Sequence, residues 1–77
     1  MSASLSSSEI LAVLEAAGFQ HVSQRGSHLK LRKVTGAAKL TVILKHPAKD
    51  VPQGTFASIL KQAGLTRAEF DRLRRSK

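Results

Sequence analysis

The 77-residue chain has no cysteine, no tryptophan and no tyrosine, and only two prolines. Without cysteine there is neither a disulfide framework nor a thiolate zinc site, so the fold must hold by packing. Carboxylates are scarce as well: five Asp and Glu stand against thirteen Lys and Arg, for a net charge of +8. No apolar run approaches the ~20 residues that span a bilayer. Met1 to Ser8 reads as small and polar, without the basic and apolar regions of a secretory signal, so the expected compartment is the cytoplasm. A chain of this length is expected to form one domain over residues 1–77, burying only ~60% of the surface its unfolded form exposes. The surplus of cations points to a polyanion, either nucleic acid or a membrane surface, or else to an acidic protein partner.

Periodicity divides the chain into six elements. From Ser7 to Ala17 the apolar residues Ile10, Leu11, Val13, Leu14 and Ala17 recur at helical spacing. Ser6 and Glu9 form a capping box at its start, and Gly18 is suited to its end. Phe19 to Gln24, His28 to Val34 and Lys39 to Lys45 read as strands, with turns at Arg25-Gly26-Ser27 and at Thr35 to Ala38. A four-residue loop centred on Gly36-Ala37 would set Leu29 opposite Leu44, Leu31 opposite Val42 and Lys33 opposite Leu40. The other face would then pair His28 with Lys45, Lys30 with Ile43 and Arg32 with Thr41. A slip of one residue would mix the faces, so the register is specified. Pro47 ends the third strand. Gly54-Thr55 opens a second helix with the stripe Phe56, Ile59, Leu60 and Ala63, and Gly64 closes it. Thr66 and Glu69 cap a short last helix with Phe70 and Leu73 inward, whose end from Arg72 to Lys77 is basic and expected to fray.

The expected fold class is therefore α+β: an α-β-β-β-α order, a three-stranded antiparallel sheet with helices on one face, and a short C-terminal helix. The order is similar to that of the double-stranded-RNA-binding domain. It leaves a second sheet face that is basic and carries His28.

The chemistry these residues support is narrow. The acids Glu9, Glu15, Asp50, Glu69 and Asp71 show no paired-carboxylate or His-x-x-x-His spacing, so no metal site and no cofactor is expected. There is no G-x-S-x-G elbow for a serine nucleophile. Histidine remains, with an ordinary pKa of ~6.5 that allows proton transfer at neutral pH. RNA carries its own nucleophile, the 2′-hydroxyl, and requires only a proton acceptor, a proton source and cations on the phosphate. His28 is the best placed, after the Gly26-Ser27 turn and on the basic face with Lys30, Arg32 and Lys45. His46 falls diagonally across from it in the expected register, where it is either an auxiliary group or a residue that hydrogen-bonds the turn before Pro47. The face of His21 is not set by the pattern. Gly54-Thr55 is either a phosphate site at a helix N-terminus or a plain Thr cap. The residues alone leave His28 open between a surface histidine and a proton-transfer group.

Five segments in order carry a resemblance: Leu14-Glu15-Ala16-Ala17-Gly18-Phe19, Arg25-Gly26-Ser27-His28, Ile43-Leu44-Lys45-His46-Pro47, Gly54-Thr55, and Ile59-Leu60-Lys61-Gln62-Ala63-Gly64-Leu65. Together they span nearly the whole chain, and the chain resembles the HicA toxin family, also described as YcfA-like mRNA interferases. The resemblance implies a double-stranded-RNA-binding-like fold, a ribosome-independent ribonuclease that cuts mRNA, and a HicB-like antitoxin that covers the active site. It also implies that His28 is the catalytic residue, in a toxin expected to be monomeric when free. Members often carry Pro two residues before the later histidine. Here Leu44 stands in that place, which continues the strand and weakens the transfer of a role to His46. The competing expectations are a non-catalytic double-stranded-RNA-binding module and a protein whose main task is to bind its antitoxin. The former is disfavoured by a second helix that has no lysine before Lys61.

Overall fold

A computed structural model describes residues 5–75. The order is α1 (Ser7–Ala16), β1 (Gln20–Arg25), β2 (His28–Thr35), β3 (Ala38–Lys45), α2 (Gln53–Ala63) and α3 (Arg67–Arg75). The strands form one antiparallel sheet in the order β1-β2-β3. The core consists of Leu29, Leu31, Val42 and Leu44 from the sheet, with Ile10, Val13 and Leu14 of α1 and Phe56, Ile59 and Ala63 of α2. Phe70 of α3 is fully buried and meets Phe56 edge-on, with ring centroids 4.8 Å apart.

Both capping boxes form. Glu9 N–H donates to Ser6 Oγ and Ser6 N–H to Glu9 Oε1, while Thr66 and Glu69 make the same reciprocal pair. These bonds satisfy amide groups that a helix start leaves without partners. They also hold both glutamates in the charged form. Glu9 is lowered below the usual carboxylate range chiefly by the Ser6 amide, and Glu69 chiefly by the Thr66 amide.

The β2–β3 register is the one the alternation specifies: Leu29↔Leu44, Leu31↔Val42 and Lys33↔Leu40 on the helix side, His28↔Lys45, Lys30↔Ile43 and Arg32↔Thr41 on the open side. The turn is tighter than expected. Pairing continues through Val34↔Lys39 and Thr35↔Ala38, so only Gly36-Ala37 lies outside the ladder, with Gly36 at φ 55°. The first strand is shifted: Phe19 is a buried core residue before β1, and Arg25 is the last residue of the strand. The β1–β2 register slips between His21 and Ser23, leaving Val22 as the extra residue of a bulge.

Two helix termini also differ from expectation. α2 begins at Gln53 with Pro52 as its N-cap and no side-chain cap bond, so Thr55 is its third residue and not its cap. Proline suits this place because its fixed φ leads into the helix and the cap needs no N–H. The last helix does not fray at Arg72; it continues to Arg75, anchored by Phe70 and by an Arg74–Glu9 ion pair at 2.8 Å. The final part of the basic tail, and the first four residues of the polar N-terminal segment, lie outside the described residues.

Candidate nucleic-acid interface

All three helices pack on one side of the sheet, which leaves the other side open. Residues directly opposite in a ladder share a face, with Cβ atoms ~4.5–5.5 Å apart. The pairs Arg25↔His28 and His28↔Lys45 therefore place Arg25, His28 and Lys45 in one row across the open face. The next row is Ser23, Lys30 and Ile43, and beyond it come Gln20, Arg32 and Thr41. His28 is exposed, and its flanking residues Arg25 and Lys45 are exposed as well. The residues expected to share a surface thus do so, with the addition of Arg25.

Arg25 escapes a reading of the sequence that takes Arg25-Gly26-Ser27 as a three-residue turn. Gly26 adopts φ 57°, and Gly26-Ser27 alone makes the connection. That left-handed conformation favours glycine. A two-residue loop headed by glycine is itself a hairpin signal, and it would have placed Arg25 opposite His28. Ser27 is half-buried and its carbonyl accepts from His46 N–H at 2.7 Å, which closes the end of the sheet under His28.

The electrostatics of the face follow from where the carboxylates are. The contacts between carboxylates and basic side chains among the described residues are Arg67–Asp71, Arg74–Glu9 and His21–Glu15, the last an ion pair only when the imidazole is protonated. None involves Arg25, Lys30, Arg32 or Lys45. Interspersed with these cations are Val22, Val34 and Ile43, exposed by 46%, 62% and 45%, the large apolar residues that the core does not bury. The face is thus basic with apolar points. Lys33 does not belong to it. Its ammonium lies 6.0 Å from the centre of the Phe19 ring, on the helix side.

His46 is not a neighbour of His28 in the sense its sequence position suggests. One residue beyond Lys45, it turns to the helix side, where its Nδ1 lies 2.8 Å from Ser7 Oγ. Ser7 Oγ also accepts from Ala48 N–H at 2.8 Å, and Ser7 N–H donates to the Ala48 carbonyl at 2.8 Å. These contacts tie the segment after β3 to the first turn of α1, with the His46 ring as one of the hydrogen-bonding groups. His21 points to the helix side too, with Nε2 2.9 Å from Glu15 Oε2. Gly54 and Thr55 lie exposed in the first turn of α2, and a Cβ built on Gly54 would meet nothing within 4 Å. Backbone N–H groups at such a terminus attract anions.

Among the described residues no group of three His, Cys, Asp or Glu side chains could hold a metal ion. No helix of the described residues is long and apolar enough to cross a membrane.

A family model described as the HicA toxin of bacterial toxin–antitoxin systems matches residues 7–65. No curated protein matches the chain. The match takes in α1, the whole sheet and α2, including the Arg25–His28–Lys45 row, and stops before α3. With well over half of its length matched, the chain belongs to the HicA toxin family, as the toxin of a toxin–antitoxin system with an antitoxin for a partner.

Proposed function

We propose that this toxin is a metal-independent endoribonuclease that cleaves mRNA, with His28 as the proton-transfer residue, and that its antitoxin silences it by covering the open sheet face. The observation that carries the reading is the Arg25–His28–Lys45 row: one imidazole between two cations that have no ion pair among the described residues, on an exposed surface.

RNA supplies the attacking group. His28 accepts the proton of the 2′-hydroxyl while that oxygen forms its bond to phosphorus. The bond from phosphorus to the 5′-oxygen breaks, that oxygen leaves with a proton taken from solvent water, and the imidazolium of His28 returns its proton to the hydroxide left behind. The products are a 2′,3′-cyclic phosphate and a 5′-hydroxyl. Arg25 and Lys45 flank the place where charge develops on the phosphate, the kind of electrostatic stabilisation that contributes most when it is preorganised. Lys30 and Arg32 hold the adjoining backbone, Gly26 and Ser27 shape the turn beside His28, and Gly54 and Thr55 offer helix N–H groups to a neighbouring phosphate. Val22, Val34 and Ile43 add apolar contact area to the same face, which suits a surface that must bind both RNA and a protein.

The test is cleavage of mRNA by the purified chain in EDTA. Wild-type protein should cut and leave 2′,3′-cyclic or 3′-phosphate ends. His28→Ala should bind RNA, keep its fold and cut ~10²-fold more slowly or worse. Cleavage by His28→Ala at the wild-type rate, 5′-phosphate products, or activity that needs an added divalent metal would overturn the proposal. Binding without cleavage by the wild-type protein would make it a non-catalytic RNA-binding module.

A further inference from the structure

A pocket of about 330 Å³ opens beside this row, between the end of β3 and the first turn of α2. Leu44, Ala48, Val51 and Pro52 give it apolar walls, and Lys45, Asp50 and Thr55 supply its polar groups. Lys45 is shared with the catalytic row, since it is the direct cross-strand partner of His28. The volume lies at the small end of ligand pockets, which run from ~300 Å³ upward. It suits a single planar ring with a few polar atoms at its edge.

Asp50 is the informative wall. Each of the other four acids has a partner: Glu9 takes Ser6 and Arg74, Glu15 takes His21, Glu69 takes Thr66, and Asp71 takes Arg67. Asp50 is exposed and has no hydrogen bond or ion pair among the described residues. A bare carboxylate beside cations that hold a polyanion repels the phosphates. It serves binding only if it accepts hydrogen bonds from the ligand, because an ionised carboxylate is an acceptor alone.

Resting on the reading of RNA as substrate, we propose that the pocket is a nucleobase subsite selective for guanine, with Asp50 accepting from its Watson–Crick edge. Guanine presents two adjacent donors there, N1–H and the N2 amine, matched in spacing to the two oxygens of one carboxylate. Adenine and cytosine set one amine beside a ring-nitrogen lone pair, and uracil sets one N–H between two carbonyls. Each of these turns a lone pair toward Asp50, so selectivity comes from repulsion as well as attraction. Val51 and Pro52 pack against the ring, and unpaired bases are commonly read in this way, on their exposed edges. Lys45 places the subsite next to the phosphate that His28 serves.

Two readouts on the full chain test this. In the first, amide resonances of Lys45, Asp50 and Thr55 are followed while each of the four nucleoside 5′-monophosphates is added. GMP should move them with an affinity roughly 10-fold or more above the other three, in line with what a bidentate base contact contributes. Asp50→Asn should remove that preference and leave the four nucleotides alike. In the second, cut sites are mapped on RNA of random sequence. Wild-type cuts should fall at a fixed offset from guanine, and those of Asp50→Asn should not. Equal shifts from all four nucleotides, shifts confined to other residues, or an Asp50→Asn protein that keeps the guanine preference would overturn the subsite. The two proposals fail separately. GMP selectivity in a protein that never cuts RNA leaves the subsite standing and removes the ribonuclease, whereas cutting with no base preference does the reverse.

Discussion

Replacing Ser7 by alanine removes the hydroxyl that ties α1 to the segment running from β3 toward α2. Ser7 is only 1% exposed, and its Oγ has two partners, Ala48 N–H and His46 Nδ1, each at 2.8 Å. Ala48 is a donor, so it occupies one lone pair of the hydroxyl. If His46 also donated, the buried hydroxyl proton would have no acceptor. The economical assignment has Ser7 donating to Nδ1, with the imidazole proton on Nε2. Alanine therefore strands one N–H and one ring nitrogen. A stranded buried polar group costs ~1–3 kcal/mol, and partial access of water to the half-buried Ala48 and His46 favours the low end for each. The sum is about 2 kcal/mol, against ~4–12 kcal/mol expected for a domain of this size. In urea, with a slope of ~1–3 kcal/mol per molar, the midpoint should fall by roughly 1 M at unchanged slope. His46→Ala should cost a similar amount by stranding the Ser7 hydroxyl, and the double variant should cost less than the two together, with a coupling above ~0.5 kcal/mol. Where it remains folded, His46→Ala should cut RNA at the wild-type rate. A Ser7→Ala midpoint within error of wild type, or strictly additive losses, would refute the clamp. A folded His46→Ala protein with reduced cleavage would restore His46 as an auxiliary catalytic group.

Three further outcomes follow from the same geometry. Neutralising Lys30, Arg32 or Lys45 singly should weaken RNA binding and flatten its salt dependence by roughly 0.7–0.9 for each phosphate no longer neutralised, measured as the slope of log K against log salt; an unchanged slope for all three moves the RNA elsewhere, for instance to the Arg-rich α3. The lowered values at Glu9 and Glu69 give stability that is present above their unfolded value near 4.5 and is lost as pH falls through the folded values, so melting curves should decline below about pH 4.5, less steeply in Glu9→Gln and Glu69→Gln. Phe70→Ala empties a site that is fully buried against Phe56, which should cost ~3–5 kcal/mol by denaturant unfolding and show that α3 is part of the core although the family match stops at residue 65.

The fold is legible where binary alternation and turn residues agree. Leu29 and Leu31 against Leu40, Val42 and Leu44, joined through Gly36, specify the β2–β3 register without ambiguity. β1 offers no such pattern. Val22 is its one aliphatic residue and sits in the bulge, so no alternation exists to fix the face of His21 or the strand limits. The site is legible in the same measure. His28, Lys30, Arg32 and Lys45 come to one face because the alternation registers their hairpin. Arg25 is hidden by a turn that reads one residue too long. Position along the ladder associates His46 with His28, although the alternation that buries Leu44 already assigns the residue two further on to the helix side. Asp50 draws notice in the sequence only among acids weighed as metal ligands, and nothing local reveals that it is the one acid without a partner among the described residues.

That distribution of acids accounts for the charge of the open sheet face. The sheet has helices on one side only, and four of the five carboxylates lie on those helices, where they cap α1 and α3 or pair with Arg67, Arg74 and His21. Glu9 and Glu69 satisfy helix starts, Glu9 and Asp71 also hold arginines of α3, and Glu15 holds the His21 imidazole of β1. Together they also leave the open face with a large excess of positive charge, with Asp50 beside Lys45 at its edge. Arg25, Lys30, Arg32 and Lys45 consequently project a net positive field from one side of the molecule. Under the proposed function, a polyanion approaching from solution would meet that side first and be brought to His28. A protein that covers this face must supply the missing negative charge, and Val22, Val34 and Ile43 offer it apolar contacts that nucleic-acid phosphates cannot use. On the proposed reading, substrate and antitoxin would compete for one surface through different parts of it. Substitution of Val34 by a polar residue should therefore weaken the antitoxin more than RNA, whereas loss of Arg32 should weaken both.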